Sequence, residues 1–124
     1  MGTVLAIAVG GAVGSVLRFL LSKYVQKIAG LDFPVGTLFV NLVGSFLIGI
    51  AFSYLVEKLA IHPLMRALLI TGFLGGFTTF STFSYESYSL LAEGEYLKFF
   101  LYVFLTNGMG IFGTFLGFNL GRLL

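Results

Sequence analysis

The sequence predicts an all-α membrane protein with four transmembrane helices per subunit, the third broken at mid-membrane, assembled as an antiparallel homodimer. The first observation behind this is composition: 58% of the 124 residues are hydrophobic and 10% are charged. A soluble body of this length has too much surface for its volume to bury that excess. The second is segmentation, since four apolar stretches are each long enough, at about 1.5 Å per residue, to cross a hydrocarbon core about 30 Å thick. The third is charge balance. Lys58, Arg66 and Arg122 fall at one end of the four crossings, and Arg18, Lys23, Lys27 and Lys98 at the other. Orientation follows the Lys/Arg count in short connections, so so small a bias predicts insertion both ways and pairing of inverted copies. Four helices alone are too few to enclose a wet path and shield a broken helix, and closed two-fold association is the commonest solution.

The first segment runs approximately from Thr3 to Tyr24. It lacks a basic leader and a small-residue cleavage site, and is expected to be a retained helix rather than a removed signal peptide. Gly10 and Gly14 put two small residues on one face, where a second backbone can approach closely. Arg18, towards the end of this segment, is either an interfacial anchor or an internal group that orients the dimer or attracts an anion. Lys23, Lys27 and Asp32 mark a polar connection, and Pro34 marks entry to the next helix, where its missing amide has no intrahelical acceptor in any case.

The second segment, about Gly36 to Val56, carries Thr37, Asn41, Gly44 and Ser45 at spacings of three and four, which gives one small or polar face. An amide in an apolar span is expensive without partners, so Asn41 is expected inside the bundle or on a wet pathway, as helix glue or as a solute contact. His62 in the following connection has no second histidine to pair with and reads as a plain loop residue, with Pro63 starting the next helix.

The third segment, about Leu64 to Leu91, is longer than one crossing requires and contains the glycine-, threonine- and serine-rich stretch Gly72 to Ser84. Glycine costs about 1 kcal/mol per interior helix position, and Thr and Ser add to that. A break is therefore expected near residues 75–79. At membrane depth such a break is tolerated only where it is buried in protein or lines a cavity. Carbonyls released around Gly75 to Thr78 can bind a monovalent cation, whereas a divalent ion would want carboxylates that the neighbouring sequence lacks. Phe77, Phe80 and Phe83 repeat at a spacing of three. They are either core packing or, through the positive edges of their rings, a lining for a small anion. Glu86 lies beyond them, capping a polar vestibule or anchoring at the interface.

The fourth segment, about Tyr96 to Leu120, follows the Glu93-Gly94-Glu95 connection. Gly113, Gly117 and Gly121 form a close-packing ridge. Tyr102, Thr106, Gly110 and Thr114 form a second stripe at i+4 spacing, with Asn107 beside it. Polar faces on two helices beside a broken third predict a polar conduit. The 7 basic and 5 acidic residues make no basic patch, which excludes nucleic-acid binding, and the absence of cysteine excludes thiol chemistry and disulfides. There is no nucleophile-base pair or ligand cluster at usable spacing, so no enzyme is expected.

Three strings carry a resemblance that covers essentially the whole chain: Gly10-Gly11-Ala12-Val13-Gly14 leading to Arg18, Pro34-x-Gly36-Thr37 leading to Asn41 and Gly44, and Gly75-Gly76-Phe77-Thr78-Thr79-Phe80-Ser81-Thr82-Phe83-Ser84 with Glu86. Together they resemble the Fluc (CrcB) family of small fluoride channels, the last string being the specific one. The resemblance implies a passive, selective fluoride exporter with two pores per antiparallel dimer, multi-pass in both orientations in a prokaryotic plasma (inner) membrane. Its implied partners are fluoride, a second copy of itself and membrane lipid. It implies a structural sodium ion at the dimer centre on the backbone carbonyls of Gly75 and Thr78, with no organic cofactor. It further implies Phe80 and Phe83 as pore phenylalanines, Asn41 as the pore amide, and a polar track of Tyr102, Thr106 and Thr114 with Ser81 and Thr82 nearby. Gly110 stands where other members can show a serine, which makes that track less continuous.

Two other readings share part of this pattern. A small dimeric proton-coupled multidrug exporter would need a carboxylate deep in the membrane, yet of Asp32, Glu57, Glu86, Glu93 and Glu95 none is at mid-depth. A purely structural membrane subunit would explain the glycine ridges but not Asn41, the broken helix and the hydroxyl stripe together.

Overall fold

A computed structural model describes residues 1–124. The chain forms four helices long and apolar enough to cross a membrane, Gly2–Ala29, Val35–Lys58, Pro63–Ala92 and Tyr96–Leu123. The first continues past the expected end at Tyr24 because Lys23 and Lys27 need not break it: long side chains carry their charges to water while the backbone stays helical. It stops at Gly30, whose left-handed backbone (φ 62°) lets its amide close onto the Gln26 carbonyl at 3.2 Å. The third helix opens with Pro63 in its first turn, and the His62 ring nitrogen Nδ1 accepts from the Leu64 amide at 3.0 Å. The loop histidine is thus a helix cap.

The first helix lies along the first half of the third, and the second lies along the fourth. Both contacts are made by glycine. A Cβ at Gly14 would run into the Phe73 carbonyl, and one at Gly76 would sit 2.7 Å from the Gly11 carbonyl. Across the other pair, a Cβ at Gly117 would strike the Phe46 carbonyl and one at Gly121 the Ser53 hydroxyl, whereas at Gly113 the nearest atom is 3.8 Å away. The expected ridge is therefore close-packed at Gly117 and Gly121 and looser at Gly113.

Only 21 of the 124 residues are buried, and the exterior carries many large apolar side chains, as suits a body solvated by lipid instead of water. Two small clusters form the interior, Ala51, Ile70 and Leu74 in one, and Phe83, Leu90 and Tyr102 in the other. Three stretches are wound as π-helix, Ala51–Lys58, Ala67–Leu74 and Leu105–Met109. Between the helical turn Gly75–Phe77 and the helix Phe80–Ala92, the backbone is extended at Thr78 (φ −94°, ψ 157°) and Thr79 (φ −147°, ψ 118°).

Candidate functional site

The two extended residues are held from the second helix. Asn41 donates through Nδ2 to the Thr79 carbonyl at 3.0 Å and accepts at Oδ1 from the Thr79 amide at 2.8 Å. Thr79 in turn starts the next helical stretch by accepting from the Thr82 amide at Oγ1, at 3.2 Å. These two diversions release two carbonyls. In a continuous helix Thr79 would donate to Gly75 and Thr82 to Thr78; here both amides go elsewhere. The Gly76 carbonyl between them is taken by Arg18, whose Nε donates at 3.0 Å. Arg18 therefore lies within the long first helix and binds the turn that precedes the interruption.

Beside the interruption lies a cleft of about 360 Å³, with Asn41, Gly75, Thr78, Phe80, Phe83 and Thr106 on its walls. Gly44, also on its wall, makes room for Thr78, since a Cβ there would strike the Thr78 side-chain methyl. Phe80 is 76% exposed in the single chain while Phe83 is buried, and their rings sit 5.7 Å apart and tilted by 52°. Thr106, in the π-wound turn of the fourth helix, has a buried hydroxyl with no hydrogen-bond partner. An unpaired buried hydroxyl costs about 1–3 kcal/mol, so its place on a cleft wall is the feature that asks for a ligand. Asn107 also lines the cleft, with its amide turned back to the Val103 carbonyl at 2.9 Å.

The other sequence-predicted residues lie around this cleft rather than on it. Thr114 donates to the Ser45 carbonyl at 2.8 Å and lies 3.2 Å from the Gly110 carbonyl, so its one hydrogen is engaged with backbone. Tyr102 is fully buried, donates to Glu86 Oε1 at 2.8 Å, and packs its ring on Phe83 at 5.1 Å. Ser81 and Thr82 gather about Thr79, whose hydroxyl donates to Thr82 Oγ1 at 3.1 Å and lies 3.3 Å from Ser81 Oγ. Glu86 lines a second recess of about 270 Å³ together with Gln26, Asp32 and Phe33. Gln26 is not singled out by the sequence, and Phe33 only as part of the entry to the second helix. The available signal was a neutral amide within reach of a proline-containing connection whose own residues offer no cap.

The chemistry available here is that of binding and passage. The cleft is walled by Thr106 with its unpaired hydroxyl, by Asn41 with one amide hydrogen beyond the one given to Thr79, and by two phenyl rings. No group of three or more metal-ligating side chains is present.

Comparison with known proteins finds relatives of the whole chain. The family model described as CrcB-like protein, Camphor Resistance (CrcB), matches residues 5–118. The chain is 68% identical over 124 residues to the fluoride-specific ion channel FluC of Aquifex aeolicus (strain VF5), covering 100% of both. It is 49% identical over 120 residues to the protein of that name from Hydrogenobaculum sp. (strain Y04AAS1), covering 97% of this chain and 98% of the relative. It is 46% identical over 118 residues to the one from Campylobacter lari (strain RM2100 / D67 / ATCC BAA-1060), covering 95% and 96%.

Proposed function

This chain belongs to the CrcB family, and we propose that it is a fluoride-specific ion channel that lets fluoride run passively down its gradient. The observation in the structure that carries the reading is the partnerless Thr106 hydroxyl on the wall of a cleft shared with Asn41, Phe80 and Phe83. Fluoride is small and strongly hydrated, so a selective path must replace its water with donors while binding weakly enough for release. Thr106 supplies a hydroxyl with no competing acceptor, and Asn41 a second amide hydrogen. The edges of Phe80 and Phe83 add positive partial charge without a full cation that would trap the ion. Export would protect a cell from fluoride that enters as neutral HF and ionises inside.

The assembly is an antiparallel homodimer with two pores, inserted in both orientations in a prokaryotic plasma membrane. Supporting this are the near-even division of basic residues and a Phe80 ring left 76% exposed by its own subunit. The interruption at Thr78 and Thr79 is the mid-membrane break of the third helix. The carbonyls of Gly75 and Thr78, both without a helical donor, fit a monovalent cation at the dimer centre. When bound, sodium there would supply a positive charge that offsets the mutual repulsion of these oxygens. Asn41 and Thr79 keep the carbonyls free by drawing the competing amides away. Vesicles loaded with fluoride and containing the purified protein test the function: fluoride leaves, with a matching current, and chloride stays. Equal loss of both ions, or of neither, would contradict it.

A further inference from the structure

The connection between the first and second helices is fixed by one side chain. Gln26 donates through Nε2 to the carbonyls of Leu31 at 3.0 Å and Phe33 at 2.8 Å, and accepts at Oε1 from the Gly36 amide at 3.0 Å. The second helix follows Pro34 and has no side-chain cap of its own, so Gln26 caps it from the neighbouring helix. The backbones can meet because residue 36 is glycine: a Cβ there would strike the Ser22 carbonyl. Lys98, at the start of the fourth helix, adds an outer tether with Nζ 3.6 Å from Asp32.

What this hold positions is the Phe33 ring. It meets Tyr102 edge to face, with centroids 5.6 Å apart and planes at 81°. Tyr102 also meets Phe83, with centroids 5.1 Å apart, and its hydroxyl donates to Glu86. Tyr102 thus links a loop phenylalanine to a cleft phenylalanine. Phe83 lines the cleft, whereas Phe33 and Glu86 line the second recess. The series Gln26, Phe33, Tyr102, Phe83 therefore runs from the outer recess to the cleft wall.

We propose that Gln26 and Phe33 form a strap that seats Tyr102 against Phe83 and Glu86 and so sets the aromatic wall at one mouth of the ion path. Both are positioning residues: Gln26 acts through Phe33, and Phe33 through Tyr102. This rests on the fluoride-channel reading.

The test is fluoride efflux from vesicles containing wild type, Gln26→Leu, Phe33→Ala, Phe33→Leu and the Gln26→Leu/Phe33→Ala pair, each first checked for assembly and thermal unfolding in detergent. Gln26→Leu and Phe33→Ala each lower efflux about three- to tenfold, the scale of one aromatic pair. Phe33→Leu, which keeps apolar bulk and secures a folded variant, lowers it less. The double variant conducts no worse than Phe33→Ala alone, because Gln26 has nothing left to position. Independent losses that multiply in the double variant would reduce Gln26 to a helix cap and overturn the strap. So would wild-type efflux in the folded single variants. A wild type that releases no fluoride overturns the channel reading and the strap's role with it, whereas a conducting wild type with unaffected variants overturns the strap alone.

Discussion

Asn41 binds Thr79 with both ends of its amide, giving a hydrogen to the carbonyl at 3.0 Å and taking one from the amide at 2.8 Å. A side chain from the second helix thereby substitutes for the helical bonds that the third helix forgoes at Thr79. The same pair frees the Gly75 carbonyl and leaves one Asn41 hydrogen for the cleft.

Asn41→Ala removes both bonds and leaves the Thr79 amide and carbonyl unpaired. The expected loss is about 1 kcal/mol of stability for partly buried groups so stranded, read as a lower melting temperature in detergent, together with loss of fluoride efflux. Asn41→Asp keeps the acceptor for the Thr79 amide but sets a carboxyl against its carbonyl, so it too is expected to stop efflux.

Thr106 and Thr114 belong to one stripe in sequence and separate in structure, which makes paired substitutions informative. Thr106→Val removes a hydroxyl that bonds to nothing in the protein. It should leave the melting temperature unchanged or raised and lower fluoride efflux. Thr114→Val breaks the bond to the Ser45 carbonyl. It should cost about 1 kcal/mol of stability and spare efflux per folded protein.

The reason those threonines part company also marks how far the sequence could be read. The four spans, the extended backbone at Thr78 and Thr79 and the inward place of Asn41 follow from apolar length, glycine content and the price of an amide in lipid, which are local properties. The stripe Tyr102, Thr106, Gly110, Thr114 assumed about 3.6 residues per turn throughout. The fourth helix is π-wound from Leu105 to Met109, which changes the angle between residues on either side of it. Thr106 and Asn107 reach the cleft, while Tyr102 turns to Glu86 and Thr114 to Ser45. Gln26 was illegible for a different reason: its three partners are backbone groups of a connection whose path no periodicity reveals.

Phe80 and Phe83 differ in burial, at 76% and 7% exposed, and that difference decides what their substitution reports. Phe80→Ile and Phe83→Ile should both lower fluoride efflux. Phe83→Ile should also lower the melting temperature, since within one subunit it removes ring contacts to both Phe80 and Tyr102. Unchanged flux in both variants would mean that neither ring lines the path.

Gly117 and Gly113 give a test of packing. A Cβ at Gly117 meets the Phe46 carbonyl, and Gly117→Ala should cost about 1–3 kcal/mol, the usual cost of overpacking. Gly113→Ala places its methyl at ordinary contact distance, 3.8 Å from the Leu42 carbonyl, and should be tolerated. Thermal unfolding in detergent separates the two.

The chain has no cysteine, so a single introduced thiol reports on its own position. The most direct measurement of whether the cleft is the ion path is fluoride efflux from vesicles containing Thr106→Cys, before and after treatment with a small thiol-specific reagent, with labelling followed by mass. If fluoride passes between Asn41, Phe80, Phe83 and residue 106, labelling stops efflux in proportion to the fraction of thiol modified. Full labelling with undiminished fluoride efflux would place the path elsewhere and contradict the assignment.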